Sequence, residues 1–180
     1  MGLLQSGLFV GKDGPWQAYT KGATYVLENR SDPTALKYFY LLDKSSDAGR
    51  RIISVKVQVE SEDKESPSRA GPGAGLIYAY DDQTKQYYGY MLENEGSMTL
   101  YKRGPEGLER TYQGRLGRAA KEHGFNELRI VEQGQRIKLY LNGSEVGFEL
   151  GNKAMGKGGV GILVAGVGRF TFTDFTYKVD

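Results

Sequence analysis

The chain has 180 residues, 39% hydrophobic and 26% charged, and its 24 basic and 22 acidic side chains leave a formal net charge of +2. This length fits one domain with its own core, and the mixed charge excludes both a disordered chain and a basic surface that wraps nucleic acid. With no cysteine and a single histidine, His123, there can be no disulfide, no thiolate metal site and no multi-histidine zinc centre.

The opening stretch, MGLLQSGLFVGKDGPW, lacks the basic start and apolar run of a signal peptide, so it fits a cytoplasmic chain or a mature form equally. No apolar stretch approaches the roughly 20 residues of a membrane span. Trp16, the only tryptophan, follows in DGPWQAY and suits either a core or edge anchor or a rim contact. In RIISVKVQVE, Ile53, Val55, Val57 and Val59 share one face, while Ser54, Lys56, Gln58 and Glu60 share the other. The charged, proline-containing stretch from Ser61 to Gly75 reads as the longest loop.

The next segment, GLIYAYDDQTKQYYGYML, holds five of the thirteen tyrosines, either as a stacking platform or as filling between sheets. A three-residue turn at Asn94-Glu95-Gly96 pairs Leu92 with Met98 and Tyr90 with Leu100, apolar opposite apolar. Tyr88, Tyr90 and Leu92 then face the core. An odd loop from Asp81 to Tyr87 adds Leu76, Tyr78 and Tyr80 to them, whereas an even one exposes Tyr78 and Tyr80. The outward set under the odd loop is Ile77, Ala79, Tyr87, Gly89, Met91, Thr99, Tyr101 and Arg103.

LGRAAKEHG is the one helical candidate, a turn or two long. NELRIVEQGQRIKLYLNGSEVGFEL then reads as three strands. Leu128 and Ile130 lead, then Ile137, Leu139 and Leu141, then Val146 and Phe148 after the hairpin signal Asn142-Gly143. Val160, Ile162 and Val164 mark the next strand. Phe170 and Phe172, then Phe175 and Tyr177, mark the last. About twelve to fourteen short strands, with 26 glycines scattered among them, predict an all-β sandwich of two antiparallel sheets over residues 1–180.

The order of GLIYAYDD, YYGYML, SMTLYKRG, FNELRIVEQGQRIKLYLNGSEV, GKGGVGILV and FTFTDFTYKV resembles concanavalin A-like lectin/glucanase domains, in particular their laminin G-like and 3-keto-glycoside-hydrolase-like bacterial members. The resemblance implies a jelly roll with a concave outer face that often holds sugars. It also implies an extracytoplasmic setting, admits a structural calcium ion, and makes a glycan or oligosaccharide the expected partner, with a protein partner as the laminin G-like alternative.

Glucanases of this fold carry E-x-D-x-x-E on a concave strand. The nearest match, Glu60-Ser61-Glu62-Asp63-Lys64-Glu65, departs at the central acid and runs into Pro67, which fits a solvated acidic loop. Concave positions that carry polar residues in the 3-keto-glycoside-hydrolase-like relatives correspond to Ala79, Gly89 and Met91, which cannot transfer protons. No catalytic residue is therefore assigned. A hydrolase would have to draw its carboxylates from separate strands, such as Glu93 or Glu132. His123, in KEHGF, has no nucleophile-elbow motif to serve. Calcium would draw on Asp81 and Asp82, on Asp43 and Asp47, or on Asp174, none of which forms a ligand string. Sugar binding without catalysis has Tyr87, Tyr101 and Arg103 as candidates, with Lys56 and Gln58 expected on a neighbouring strand and Trp16 at the rim. The expected function is non-catalytic carbohydrate recognition on the concave sheet.

Overall fold

The structure is a computed structural model that describes residues 7–41, 49–62, 72–94, 96–115, 120–121, 123–134, 136–149 and 158–179. Fourteen strands are described: β1 (Gly11–Asp13), β2 (Trp16–Lys21), β3 (Thr24–Asn29), β4 (Leu36–Leu41), β5 (Arg50–Glu60), β6 (Gly73–Tyr80), β7 (Tyr87–Glu93), β8 (Ser97–Gly104), β9 (Gly107–Arg115), β10 (Asn126–Gln133), β11 (Arg136–Leu141), β12 (Ser144–Glu149), β13 (Gly159–Ala165) and β14 (Gly168–Val179). They form two antiparallel sheets. One has eight strands in the order β1-β2-β3-β14-β5-β10-β11-β12, and the other has six in the order β4-β13-β6-β7-β8-β9. The expected helical turn falls largely on residues 116–119 and 122, outside the described residues.

Alternation decides which side chains fill the space between the sheets. Ile53, Val55, Val57, Leu128, Ile130, Ile137, Leu139, Leu141, Val160, Ile162, Val164, Phe170, Phe172 and Phe175 all join one core, as their period-2 spacing predicts. In β14 the inward set skips a residue between Phe172 and Phe175. Asp174 adopts a positive φ of 53°, and the register against β5 shifts between Thr173 and Thr176. The bulge restores the phase, so both halves of the strand bury their aromatics. Asn142 and Gly143 both have positive φ, as a tight hairpin of this type requires.

The tyrosine-rich hairpin keeps the predicted register of β7 on β8, with Leu92 opposite Met98 and Tyr90 opposite Leu100. Strand β6 answers the odd-or-even alternative in an unforeseen way. Leu76 and Tyr78 face the core with Tyr88, Tyr90 and Leu92, whereas Tyr80 does not. Ala79 has a φ of 53°, and β6 carries an extra residue against β13 between the Ile77–Gly161 and Tyr80–Gly159 pairs. This bulge turns Tyr80 onto the outer face.

Candidate functional site

The outer face of the six-stranded sheet carries Ile77, Tyr80, Tyr87, Met91, Tyr101, Leu163 and Ala165, and all seven are buried. Tyr87 is 2% exposed and Tyr101 is fully buried. Tyr38 and Tyr40 of β4 pack against them, with Tyr40 stacked on Tyr80 at 3.8 Å between ring centroids and Tyr38 at 5.1 Å from Tyr87. At Gly89 an added Cβ would meet the Leu163 side chain at 2.8 Å, so the missing side chain makes room for that leucine. Of the two readings of these tyrosines, filling is the one that holds, and Tyr87 and Tyr101, the candidates for a sugar-stacking face, lie in a second apolar layer with rings packed on one another. Alternation had placed Tyr87 and Tyr101 on the correct face, but it carries no information about what lies above a face.

Three other candidates also need relocating. Lys56 and Gln58 lie on β5, whose neighbours are β14 and β10 in the eight-stranded sheet, so they do not join Tyr87 and Tyr101. The chain changes sheets between β5 and β6. Trp16 is 4% exposed and packs on Phe170 at 6.1 Å between centroids, a core anchor with no place on a rim. Arg103 is exposed at the end of β8, opposite Tyr87.

The carboxylates disperse as well. Glu93 accepts a hydrogen bond from the Tyr101 hydroxyl at 2.9 Å, and the Arg110 guanidinium lies 3.6 Å away. Glu132 belongs to the other sheet, opposite Arg51, so these two acids are not a pair. Asp81 caps its own turn by accepting from the Gln83 and Thr84 amides. Asp82 accepts from Tyr40 and Lys85, and Asp174 from Lys56. Asp43 and Asp47 lie outside the described residues. Among the described residues no three His, Asp or Glu side chains converge on a point where a metal would sit.

A cleft of 710 Å³ at one end of the eight-stranded sheet brings together residues from five segments distant in sequence. Its floor is a cross-strand row. Glu28 of β3 pairs with Arg169 of β14, and Arg169 pairs with Glu60 of β5. Glu28 is buried at 5% exposure, yet its carboxylate is fully engaged. The Tyr19 hydroxyl donates to Oε1 at 2.6 Å, Arg169 Nε donates to the same oxygen at 2.7 Å, and an Arg30 terminal nitrogen donates to Oε2 at 2.8 Å. The Tyr19 bond leads in holding the Glu28 pKa down to about 2, against the opposing cost of burial, and the two guanidinium groups add to it.

The walls are tied in place by backbone and amide contacts. Asn94, in the turn after β7, donates from its amide to the Ser61 carbonyl at 3.0 Å and from its backbone N–H to Pro72. The Ser61 hydroxyl donates to the Val167 carbonyl at 2.6 Å. At Gly168 a Cβ would lie 2.8 Å from the Glu60 carbonyl, so β14 can start this close to β5 only with glycine there. Glu62 and His123 complete the lining from its exposed side, next to the exposed end of the floor at Glu60.

Two features set aside in the sequence, the Glu60–Glu62 acids and the lone histidine, thus meet here with three residues that the sequence reading did not single out: Glu28, Arg30 and Arg169. The only linear signal for the last three was a glutamate inside the apolar run TYVLEN and an arginine opening GRFTF. Neither betrays its partner 141 positions away. Chemically the cleft offers fixed donors on two guanidinium groups and acceptors on carboxylates and an amide, a set suited to hydroxyl groups. Its one buried carboxylate is held ionised, so it has no proton to give at neutral pH.

No protein-family model and no curated protein matches the sequence. Solved structures do match. A functionally unknown protein from Saccharomyces cerevisiae has a TM-score of 0.65 at 12% identity, covering 98% of each chain. The carbohydrate-binding module CBM66 from Bacillus subtilis has a TM-score of 0.62 at 14% identity, covering 86% of each. A xylan β-1,4-xylosidase from Bacillus halodurans C-125 has a TM-score of 0.59 at 14% identity, covering 93% of this chain and 35% of that one. Among the described residues no helix is long and apolar enough to cross a membrane. With two antiparallel sheets packed on one core and these structural neighbours, the chain has the concanavalin A-like lectin/glucanase fold, a jelly-roll β-sandwich.

Proposed function

We propose that this protein is a carbohydrate-recognition domain that binds neutral glycans in the cleft around Glu28 and does not hydrolyse them. The observation that carries the reading is the Tyr19–Glu28–Arg169–Arg30 cluster. It fixes two guanidinium groups over a buried carboxylate at the floor of the cleft, beside the acceptors Glu60, Glu62 and Asn94. Guanidinium donors beside carboxylate and amide acceptors match the vicinal hydroxyls of a sugar, and the hydrogen bonds from Arg30 and Arg169 to Glu28 lower the ordering cost of binding. A two-carboxylate glycosidase keeps one acid protonated near neutral pH, and the buried carboxylate here is biased the opposite way. The shared fold with a carbohydrate-binding module supports the same reading.

The test is a glycan microarray of neutral oligosaccharides, followed by calorimetry on the wild type and on the variants Arg30→Ala, Glu62→Ala and Asn94→Ala. Each lost hydrogen bond to a sugar hydroxyl is expected to weaken binding by about fivefold to tenfold. Unchanged affinity in all three variants would remove the site assignment. Reducing ends released from any bound polysaccharide would remove the claim that the domain is not catalytic.

A further inference from the structure

The outer face of the sheet continues beyond the floor of the cleft. The next row on the same outer face runs Tyr19, Val26, Thr171, Gln58 across β2, β3, β14 and β5, in register with the row that holds Glu28, Arg169 and Glu60. Rows two residues apart on one face are about 7 Å from each other, close to the span of one monosaccharide unit. Resting on the recognition reading above, we infer that a second sugar residue of the same glycan lies over this row, stacked on Tyr19 and hydrogen-bonded to Gln58 and Thr171, so that the protein reads an oligosaccharide and not a single sugar.

Three observations carry this. Tyr19 is half-buried, and its hydroxyl is pinned to Glu28 at 2.6 Å, so its ring is held beside the cleft before any ligand arrives. An aromatic face fixed in this way meets a sugar ring without paying to order a free side chain. Val26 faces outward in the same row but is only 4% exposed, so it packs beneath the row and leaves Tyr19, Thr171 and Gln58 as the row's accessible groups. Gln58 and Thr171 are half-buried, uncharged donors and acceptors, opposite each other across β5 and β14. The charges return only one row further on, at Lys56 and its ion pair with Asp174. A neutral segment sandwiched between two charged rows favours a neutral sugar unit over an acidic one.

The experiment is calorimetry with gluco-, xylo-, galacto- and fructo-oligosaccharides of one to six units, on the wild type, Tyr19→Phe, Gln58→Ala and the Gln58→Ala/Thr171→Val pair. Thermal melts check that each variant folds. The wild type is expected to gain about tenfold in affinity between one unit and two or three units of the series it binds. The double variant should lose most of that gain and keep the affinity for the single unit. Tyr19→Phe keeps the ring and releases its anchor, so its gain should fall partway. A gain that survives intact in the double variant, or wild-type affinity that does not change with chain length, overturns the second subsite and leaves the cleft standing. If no oligosaccharide of any length binds the wild type, the recognition reading itself falls, and this inference with it.

Discussion

Arg169 on β14 and Glu28 on β3 face each other as cross-strand partners, with Nε donating to Oε1 at 2.7 Å. The same carboxylate receives Tyr19 and Arg30, so one buried charge organises three side chains from three segments. Buried carboxylates are tolerated when their oxygens are hydrogen-bonded, and here both oxygens accept from a donor.

The pH dependence of stability follows from that contact. The Glu28 pKa is lowered in the fold from about 4.5 to about 2, so the native state gains from the ionised form. The sign is that of a depressed acid: its contribution is complete above about pH 4.5 and disappears as pH falls through about 2. Glu28→Gln should cost about 2 kcal/mol at neutral pH, a fall of about 4–8 °C in Tm. In urea titrations the gap between wild type and variant should narrow as pH drops from 4.5 towards 2. A gap that stays constant across that window would show that the carboxylate's charge does not matter.

Two tyrosines on the same face should respond oppositely to loss of their hydroxyls. Tyr101 donates to Glu93 at 2.9 Å and accepts from Arg110 at 3.3 Å, so Tyr101→Phe should destabilise by about 1–2 kcal/mol. The Tyr87 hydroxyl is buried with no hydrogen-bond partner among the described residues, and burial pushes its pKa up to about 12. Tyr87→Phe removes a desolvated polar group and should be neutral or stabilising by up to about 1 kcal/mol. Denaturant unfolding of the two variants decides the matter. A Tyr87→Phe variant that loses stability or glycan affinity would show that this hydroxyl has a partner after all.

The bulge and the strand glycines make a third test. Ala79 sits at a φ of 53°, where an L-residue is strained, so Ala79→Gly should stabilise by up to about 1 kcal/mol, although glycine normally weakens a strand. Gly75 and Gly161 have no such freedom. An added Cβ would lie 1.9 Å from the Tyr90 carbonyl in one case and 1.8 Å from the Phe39 carbonyl in the other. Alanine at either should cost about 3 kcal/mol or more, because backbone cannot step aside as a side-chain tip can. Gly104→Ala, with nothing within 4 Å of its Cβ, is the control and should shift stability by less than about 0.5 kcal/mol. Comparable melting losses at all four positions would refute the packing argument.

The sequence by itself determined the layers. A side-chain period of two fixes which residues of β5, β10, β11, β13 and β14 enter the core, and Asn142-Gly143 fixes a hairpin, because both are properties of a few consecutive residues. It also fixed the pairing of Leu92 with Met98 and the outward facing of Tyr87 and Tyr101. Only the tertiary structure decided the rest. Whether an outward face is open or covered depends on chain from elsewhere, which is why the tyrosine face turned out to be packed and Trp16 to be core. The phase of β6 changed at one strained alanine, which no alternation pattern announces. The sheet to which β5 belongs, and with it the place of Lys56 and Gln58, follows from a crossover between layers. The cleft is the extreme case: Glu28 and Arg169 lie 141 residues apart, and their meeting depends on which strand lies beside which, a choice that only the assembled sandwich makes.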